Sequence, residues 1–337
     1  MSVTTGSQCI LCNLPIRFDT YEGCSHNCRY CFVQRKTNIS KIKAGSTVKA
    51  LEHFINGERT VDTNWCNWDI PVHWGGMSDP FQPLEKNLRI SYECLKLFAK
   101  TKYPFVVSTK GALVADDEYL KLLEQCNCVV QISMVCSKYD KLETGAPTYE
   151  ERLAMVRKIS PRVQRVVLRC QPYMLEVFED VKKNIARAAE AGAYGIVFEG
   201  MKFVKKKPGL VKCAGDFVYP LPILKEHFNA LREECHKYGL KFYSGENRLR
   251  GMGDDMCCCG IDGLKGFKGN EYNICMMLNG KDVKPTEHMK TVGTAGCYRA
   301  IYQDSSKSRA LNKMSFAGQM QKMLKEKPEY FKEVFGK

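Results

Sequence analysis

Three cysteines lie close together in one segment near the start of the chain. Cys24, Cys28 and Cys31 have the spacing C-x3-C-x2-C, and an aromatic residue, Tyr30, precedes the last of them. Thiolates at this spacing can wrap one face of a metal centre. An iron–sulfur cube normally takes four cysteines, so three leave one iron with the open position that catalytic metal sites need. The alternatives are a zinc site with a remote fourth ligand, or three unrelated thiols.

A second group of cysteines lies in the C-terminal part. Residues 251–280 are rich in Gly and Cys and show no clear hydrophobic periodicity. Irregular backbone with clustered thiols suits an auxiliary iron–sulfur cluster, whereas a zinc site and buried structural cysteines are the alternatives. The candidate ligands of this second metal site are Cys257, Cys258, Cys259, Cys275 and Cys297.

Short apolar runs alternate with helical patterns between these two groups. Strands are predicted at 17–21, 70–74, 105–108, 129–135, 163–173, 196–199 and 241–244. Helices are predicted at 47–55, 84–99, 116–124, 148–158, 175–191 and 222–237. Such alternation implies a parallel sheet with right-handed crossovers, and a barrel of this type carries its active site at the C-terminal ends of the strands.

The predicted fold class is therefore α/β: a partial (β/α)6 TIM-like barrel with a Cys/Gly-rich C-terminal extension. We expect a barrel domain over 1–249, a capping module over 250–300 and a basic helical tail over 301–337. The polar segment 246–255, which follows the last predicted strand and includes 246–250, is either a substrate contact or a solvated loop.

The composition restricts the class of protein. The chain has 337 residues, a net charge of +14 and 18 cysteines. The positive charge favours anionic partners, although solubility alone would also explain it. The start of the chain has no targeting pattern, and no run is long and apolar enough for a membrane helix, so we expect a cytoplasmic protein that does not bind membranes. So many thiols suggest metal binding and an anaerobic source.

The cysteine motif resembles that of the radical S-adenosylmethionine (SAM) superfamily. Four further blocks resemble its spore photoproduct lyase and "DNA repair photolyase" subfamily, over roughly residues 15 to 200. These blocks are MSDPFQPLE at 77–85, STK at 108–110, ETGAPTYEERL at 143–153 and RCQP at 169–172.

The resemblance implies a [4Fe–4S] cluster on Cys24, Cys28 and Cys31 that binds SAM and cleaves it reductively to a 5′-deoxyadenosyl radical. It implies that the cofactor-binding residues are Tyr30, Gly75, Gly76, Ser78, Lys110 and Ser133. A plain turn is the alternative for the glycine pair, a solvated loop lysine for Lys110 and a backbone-bonded strand serine for Ser133. Glu143 and Arg152 are expected to pair and fix their loop.

The implied partners are an electron donor of the flavodoxin or ferredoxin type and an anionic substrate, in the first place nucleic acid or a nucleotide. One position departs from the subfamily pattern. Spore photoproduct lyase has a hydrogen-donor cysteine near the end of its second strand, where this chain has Met77. A thioether has no hydrogen to return to a substrate radical, so dimer repair does not carry over. The alternatives are a radical SAM peptide maturase and a non-catalytic iron–sulfur or zinc protein.

Overall fold

A computed structural model describes most of the chain. It covers residues 3–5, 12–35, 41–45, 47–60, 63, 70–270, 273, 276 and 316–335. Cys275 and Cys297, two of the candidate ligands of the second metal site, lie outside these residues.

Eight strands form one main sheet, and seven of them are parallel. The twelve strands are β1 (Thr4–Thr5), β2 (Ile16–Phe18), β3 (Tyr21–Glu22), β4 (Lys43–Ala44), β5 (Val72–Trp74), β6 (Phe105–Thr109), β7 (Cys128–Ser133), β8 (Arg165–Tyr173), β9 (Gly195–Gly200), β10 (Val211–Cys213), β11 (Asp216–Val218) and β12 (Lys241–Ser244). The order in the main sheet is β1-β2-β5-β6-β7-β8-β9-β12, with only β1 antiparallel to its neighbour. The pairs β3–β4 and β10–β11 form separate hairpins. The predicted partial barrel is confirmed.

Nine α-helices accompany the sheet in the described part of the chain. They are α1 (Val48–Ile55), α2 (Glu85–Leu88), α3 (Ile90–Thr101), α4 (Asp117–Leu123), α5 (Tyr149–Ile159), α6 (Phe178–Glu190), α7 (Leu221–Lys237), α8 (Phe316–Glu326) and α9 (Pro328–Phe335). None of these described helices has the length and apolar character needed to cross a membrane.

The helix predicted at 84–99 is wrong in one respect, because the chain forms two helices there. Arg89 adopts a left-handed conformation with φ of 52° between α2 and α3. The buried carboxylate of Glu85 accepts hydrogen bonds from the backbone N–H groups of Ser91 (2.9 Å) and Tyr92 (2.8 Å). Glu85 thus satisfies two of the donors that the start of α3 leaves open.

The two faces of the sheet differ in chemistry. Outward residues such as Trp74, Phe105 and Val130 are fully buried in the apolar core under the helices. Inward residues are largely polar, and they begin with Arg17, His73 and Ser108 on three neighbouring strands. Because side chains alternate along a strand, successive residues of each strand face the apolar core and the barrel interior in turn.

The described part of the Cys/Gly-rich segment lies against the inner face near the starts of β7 and β8. Arg165 donates to the carbonyl oxygens of Gly260 (2.9 Å) and Asp262 (2.6 Å). A Cβ on Gly260 would overlap the Val167 side chain, so the close approach requires glycine. The proposed division into three domains stays a prediction.

Candidate functional site

The cysteine loop follows β3 at the C-terminal edge of the sheet. Cys24 and Cys31 are partly exposed, Cys28 is buried, and all three are free thiols. Burial raises the pKa of Cys24 to about 12 and that of Cys28 to about 11. Cys28 also interacts electrostatically with both other thiols, which brings the three together as the sequence predicted.

These thiols do not converge on one point. No group of three or more His, Cys, Asp or Glu side chains among the described residues could hold a metal ion. A cube presents its irons at separate corners and takes one thiolate at each, so its ligands need not converge as the ligands of a zinc ion must. The donor set of three thiols on one loop therefore fits a three-ligand cluster better than a zinc site.

The 77–85 block holds one side of the cysteine loop. The side-chain amide of Gln82, which is fully buried, accepts from the N–H of Ser25 (3.0 Å) and donates to the carbonyl of Gly23 (3.1 Å). The Ser78 hydroxyl donates to the Tyr21 carbonyl at 2.7 Å. The 77–85 block thus stabilises the backbone of the cysteine loop.

Asp79 connects the same block to the end of β6. Its carboxylate accepts from the Thr109 hydroxyl (2.6 Å) and the Lys110 N–H (2.6 Å), and it lies 3.0 Å from Nε2 of His26. Burial opposes ionisation of Asp79, but His26 and these hydrogen bonds outweigh it and lower the pKa to about 2. Asp79 is therefore a carboxylate that fixes the cysteine loop, β6 and Lys110 relative to one another.

The 143–153 block holds the other side of the loop. His26 and Gly145 are joined twice, through Nδ1 of His26 and the Gly145 carbonyl (2.9 Å) and through the Gly145 N–H and the His26 carbonyl (3.1 Å). A Cβ on Gly145 would overlap the Ser25 carbonyl oxygen. The Tyr30 hydroxyl donates to the Glu143 carboxylate. The loop is thus held between the 77–85 and 143–153 blocks at the edge of the sheet.

The residues assigned to SAM lie at this same edge. Gly75 follows β5 with φ of +84°, and a Cβ there would overlap the Ser108 carbonyl, so the backbone alone explains this glycine. Gly76 lies against the Arg17 guanidinium. Nζ of Lys110 lies 3.9 Å from Glu143 Oε1 and 5.8 Å from the Tyr30 ring centre, and Ser133 ends β7. Their contact with the cofactor stays a prediction.

Asp19, which the sequence analysis missed, holds the glycine loop in place. One carboxylate oxygen accepts from the N–H groups of Met77 (2.9 Å) and Ser78 (3.1 Å). Burial raises the pKa of Asp19 to about 6. The available signal was a carboxylate directly after the first parallel strand, where site residues of such sheets collect.

A chain of hydrogen bonds crosses the barrel interior. Arg17 donates to His73 Nδ1 (2.8 Å), and burial, with Arg17 and Arg169 nearby, lowers the pKa of His73 well below its usual value. Because a guanidinium only donates, the neutral ring carries its proton on Nε2 and donates to Ser108 (3.0 Å). Ser108 donates to the Gln131 side-chain oxygen at 2.8 Å.

The chain continues to the last strands. Arg169 donates to Gln131 (3.1 Å) and to Gln171 (2.5 Å). Gln171 donates to Glu199 (2.6 Å), and Glu199 pairs with Lys202 (2.8 Å). The interior is therefore an ordered polar surface, which sequence alternation did not reveal because Val106 and Val129 share the inner face and make these strands continuous apolar runs.

The segment 246–250 is not a solvated loop. The side chains of Glu246 and Arg248 are each 6% exposed and form an ion pair of 3.0 Å. Arg250 is buried and donates to the Ser244 carbonyl at 2.8 Å. The structure thus excludes the solvated-loop interpretation for these residues, and their contact with a substrate stays a prediction.

The consecutive cysteines lie inside the protein beside a cysteine from the N-terminal segment. Cys257 and Cys259 are buried, and Cys259 interacts electrostatically with Cys12. The contact with Cys259 and burial raise the pKa of Cys258, whereas the charges of Arg250 and Arg169 lower it. The second metal site stays a prediction.

Comparison with known proteins finds distant relatives by sequence and similar folds among solved structures. No protein-family model matches the chain. Uncharacterized proteins of Mycobacterium bovis and Mycobacterium tuberculosis are 24% identical over 218 residues, which are 59% of this chain and 63% of theirs. The chain thus spans less than two thirds of the length of these relatives.

Two solved structures are similar in fold. A variant of spore photoproduct lyase with bound AdoMet and dinucleoside spore photoproduct has a TM-score of 0.54 and 16% identity, over 68% of this chain and 76% of that one. Streptococcus suis SuiB bound to precursor peptide SuiA has a TM-score of 0.50 and 13% identity, over 70% of this chain and 50% of that one. Both are radical SAM enzymes, and this chain shares their fold.

Proposed function

We propose that the chain is a radical SAM enzyme whose Cys24, Cys28 and Cys31 hold a [4Fe–4S] cluster with one open iron. The observation that carries the proposal is the three-thiol loop, clamped on both sides by the 77–85 and 143–153 blocks at the C-terminal edge of a partial barrel. When bound, the cluster supplies the electron that cleaves SAM to methionine and a 5′-deoxyadenosyl radical, which takes hydrogen from the substrate.

The residues of the chain have separate tasks in this proposal. Gln82, His26 and Gly145 keep the loop backbone in place, so that the thiols present a fixed face. Tyr30, Gly75, Gly76, Ser78, Lys110 and Ser133 are the proposed SAM contacts. Lys110 lowers the pKa of Cys28 more than Arg152 does, and its point charge is the proposed partner of the SAM carboxylate.

The decisive experiment measures 5′-deoxyadenosine after anaerobic reconstitution with iron and sulfide and chemical reduction in the presence of SAM. The wild-type protein should produce it. Separate Cys24→Ser, Cys28→Ser and Cys31→Ser variants should not, because each loses one iron ligand. Cys213→Ser is the matched control, since Cys213 is a partly exposed free thiol on β10, outside the loop. Equal product from all four variants would refute the proposal.

Lys110→Ala should weaken SAM binding by about ten- to a hundredfold and leave the iron content unchanged, because a lost charge-assisted contact costs about 1.5–3 kcal/mol. Lys138→Ala is the control, as Lys138 pairs with Asp180 on the surface at 2.7 Å. An equal effect of both substitutions would place the SAM carboxylate elsewhere.

The proposed substrate is nucleic acid or a nucleotide, and the proposed reductant is a flavodoxin or ferredoxin. The net charge of +14 and the polar barrel interior support an anionic substrate. Peptide modification is the second candidate, because SuiB, with its bound precursor peptide, shares the fold. Transfer of deuterium into 5′-deoxyadenosine from labelled DNA, RNA or peptide separates the two.

An auxiliary iron–sulfur cluster on the C-terminal cysteines, or a zinc ion that also uses Cys275 or Cys297, is a further proposal. Cys12 and the triplet 257–259 place four thiols near one another. The triple alanine variant of Cys24, Cys28 and Cys31 should then retain metal after reconstitution. A metal-free variant would make these cysteines structural.

A further inference from the structure

A lysine-rich loop follows β9 at the C-terminal edge of the sheet and leads into the β10–β11 hairpin. Lys205, Lys206, Lys207 and Lys212 are exposed, and within the described residues none of them lies in an ion pair. Nζ of Lys207 lies 4.9 Å from the centre of the Phe203 ring. The loop thus presents a row of cations, one of which lies over an aromatic ring.

A buried guanidinium lies beneath this hairpin. Arg248 donates from Nε to Glu246 (3.0 Å) and from Nη1 to the carbonyl of Tyr219 (3.2 Å), the residue after β11. Its Nη2 is buried and has no hydrogen-bond partner among the described residues. Buried polar atoms are almost always satisfied, so this nitrogen can take an acceptor that the described residues do not supply.

The charge around Arg248 favours an anion as that acceptor. The carboxylates that interact with this region are Glu199, Glu246, Asp216 and Glu333. The cations of the same region are Arg169, Lys202, Arg248 and Arg250, and the four exposed lysines of the loop add to them. A guanidinium matches the oxygens of a phosphate group, and exposed lysines add sequence-independent attraction for a polyanion.

We propose that Arg248 and the lysine loop form a phosphate-binding surface for a nucleic-acid strand, with Nη2 of Arg248 donating to a phosphate oxygen. The inference rests on the proposed function in that it takes the bound strand to be the substrate. The hydrogen-bonded chain from Lys202 through Arg169 to Ser108 runs from this surface toward the glycine loop. The nucleic-acid strand is therefore anchored on one side of the barrel, and its reacting part reaches the proposed SAM contacts on the other side.

The experiment measures binding of a short fluorescein-labelled oligothymidylate by anisotropy over a range of salt concentrations, on the full chain and without SAM. The variant Lys205→Gln, Lys206→Gln, Lys207→Gln loses three phosphate contacts. Each contact to a single strand contributes about 0.7 to the slope of log K against log salt, so the slope should fall by about two. The control Lys86→Gln, Lys100→Gln, Lys121→Gln removes the same charge from exposed positions on or next to α2, α3 and α4 and should leave the slope unchanged.

A second pair of variants tests the buried nitrogen. Arg248→Lys keeps the charge opposite Glu246 but loses Nη2, and it should weaken oligothymidylate binding at least about tenfold, the cost of one charged hydrogen bond. Arg232→Lys is the control, because Arg232 is on the exposed side of α7 near Asp254. The melting temperatures of both variants show whether the fold is intact.

Equal slopes for the two triple variants, or equal affinity of Arg248→Lys and Arg232→Lys, would overturn the proposal. Tighter binding of labelled oligoglutamate than of oligothymidylate, with the same dependence on Lys205–Lys207, would replace nucleic acid by an acidic peptide. SAM cleavage does not enter this assay, so loss of binding and loss of the proposed reaction are separate results.

Discussion

Oε2 of Glu143 lies 2.5 Å from Nη2 of Arg152, and both side chains are at most 1% exposed. Arg152 also donates to the Ser133 carbonyl at 2.7 Å, and Glu143 accepts from Tyr30 of the cysteine loop. The pair predicted from sequence is thus confirmed. It connects α5, the end of β7 and the proposed cluster loop through one buried carboxylate.

Glu143→Gln should destabilise the protein by about 3 kcal/mol, because it leaves the buried Arg152 guanidinium with only the partly exposed Asp140, 3.6 Å away, as a counter-charge. Glu150→Gln is the matched control. Glu150 pairs with Arg187 at 2.6 Å on the surface, and such a pair contributes about 0–1 kcal/mol. Urea unfolding of both variants gives the comparison. Equal losses would show that the buried pair has no special role.

Gln82→Leu should lower iron retention more than it lowers the melting temperature. The substitution removes both hydrogen bonds to the loop backbone and leaves the Ser25 N–H and the Gly23 carbonyl unpaired, at about 1–3 kcal/mol for a buried group. Gln125→Leu is the control, since the Gln125 side chain is exposed and donates to the Lys121 carbonyl of α4. Full iron content in Gln82→Leu would mean that the loop holds its shape without this support.

Gly145→Ala should displace the cysteine loop. Its Cβ would overlap the Ser25 carbonyl, and crowding of this kind costs about 1–3 kcal/mol. Gly209→Ala has open space around the new methyl group but φ of +78°, so it tests backbone strain alone, about 1 kcal/mol. Iron content after reconstitution should fall in the first variant and not in the second. The reverse order would contradict the clamp.

The fold was predictable because its signals are local. Each parallel strand is a short apolar run, and Thr148 with Glu151 forms the capping box expected at the start of α5. The break at Arg89 was missed because it depends on Glu85, whose carboxylate acts across space on Ser91 and Tyr92. Such a long-range cap leaves no periodicity in the sequence.

The candidate site was predictable only as a set of motifs. The spacing of Cys24, Cys28 and Cys31 indicates metal binding by itself. The role of Gln82 cannot be read from the sequence in this way, because its partners Gly23 and Ser25 are distant in sequence and bind it only through backbone atoms. Asp19 was missed for the same reason, since it binds the backbone of Met77 and Ser78. Every residue type other than proline offers the same backbone donor and acceptor, so the sequence does not show which backbone groups a side chain will bind.

Asp19→Asn should change how stability depends on pH. In the folded protein burial raises the pKa of Asp19 from 3.8 to about 6. The unfolded chain therefore loses this proton near pH 4 and the folded chain only near pH 6. Between these values the folded state binds more protons, so wild-type stability falls as pH rises, by at most roughly 3 kcal/mol. The asparagine amide still accepts from Met77 and Ser78 but does not ionise.

Urea unfolding at several pH values from about 4 to about 7 tests this, in the alanine background of Cys24, Cys28 and Cys31 so that loss of metal does not contribute. Asp19→Asn should gain stability relative to its parent as pH rises toward 6, and the difference should then level off. Asp117→Asn is the control with the opposite sign, because Lys158 lowers the pKa of Asp117. Its parent should keep its advantage over this range and lose it only as pH falls below about 4. Parallel curves for Asp19→Asn and its parent would show that the carboxyl is ionised at no cost and that the glycine loop is held by other contacts.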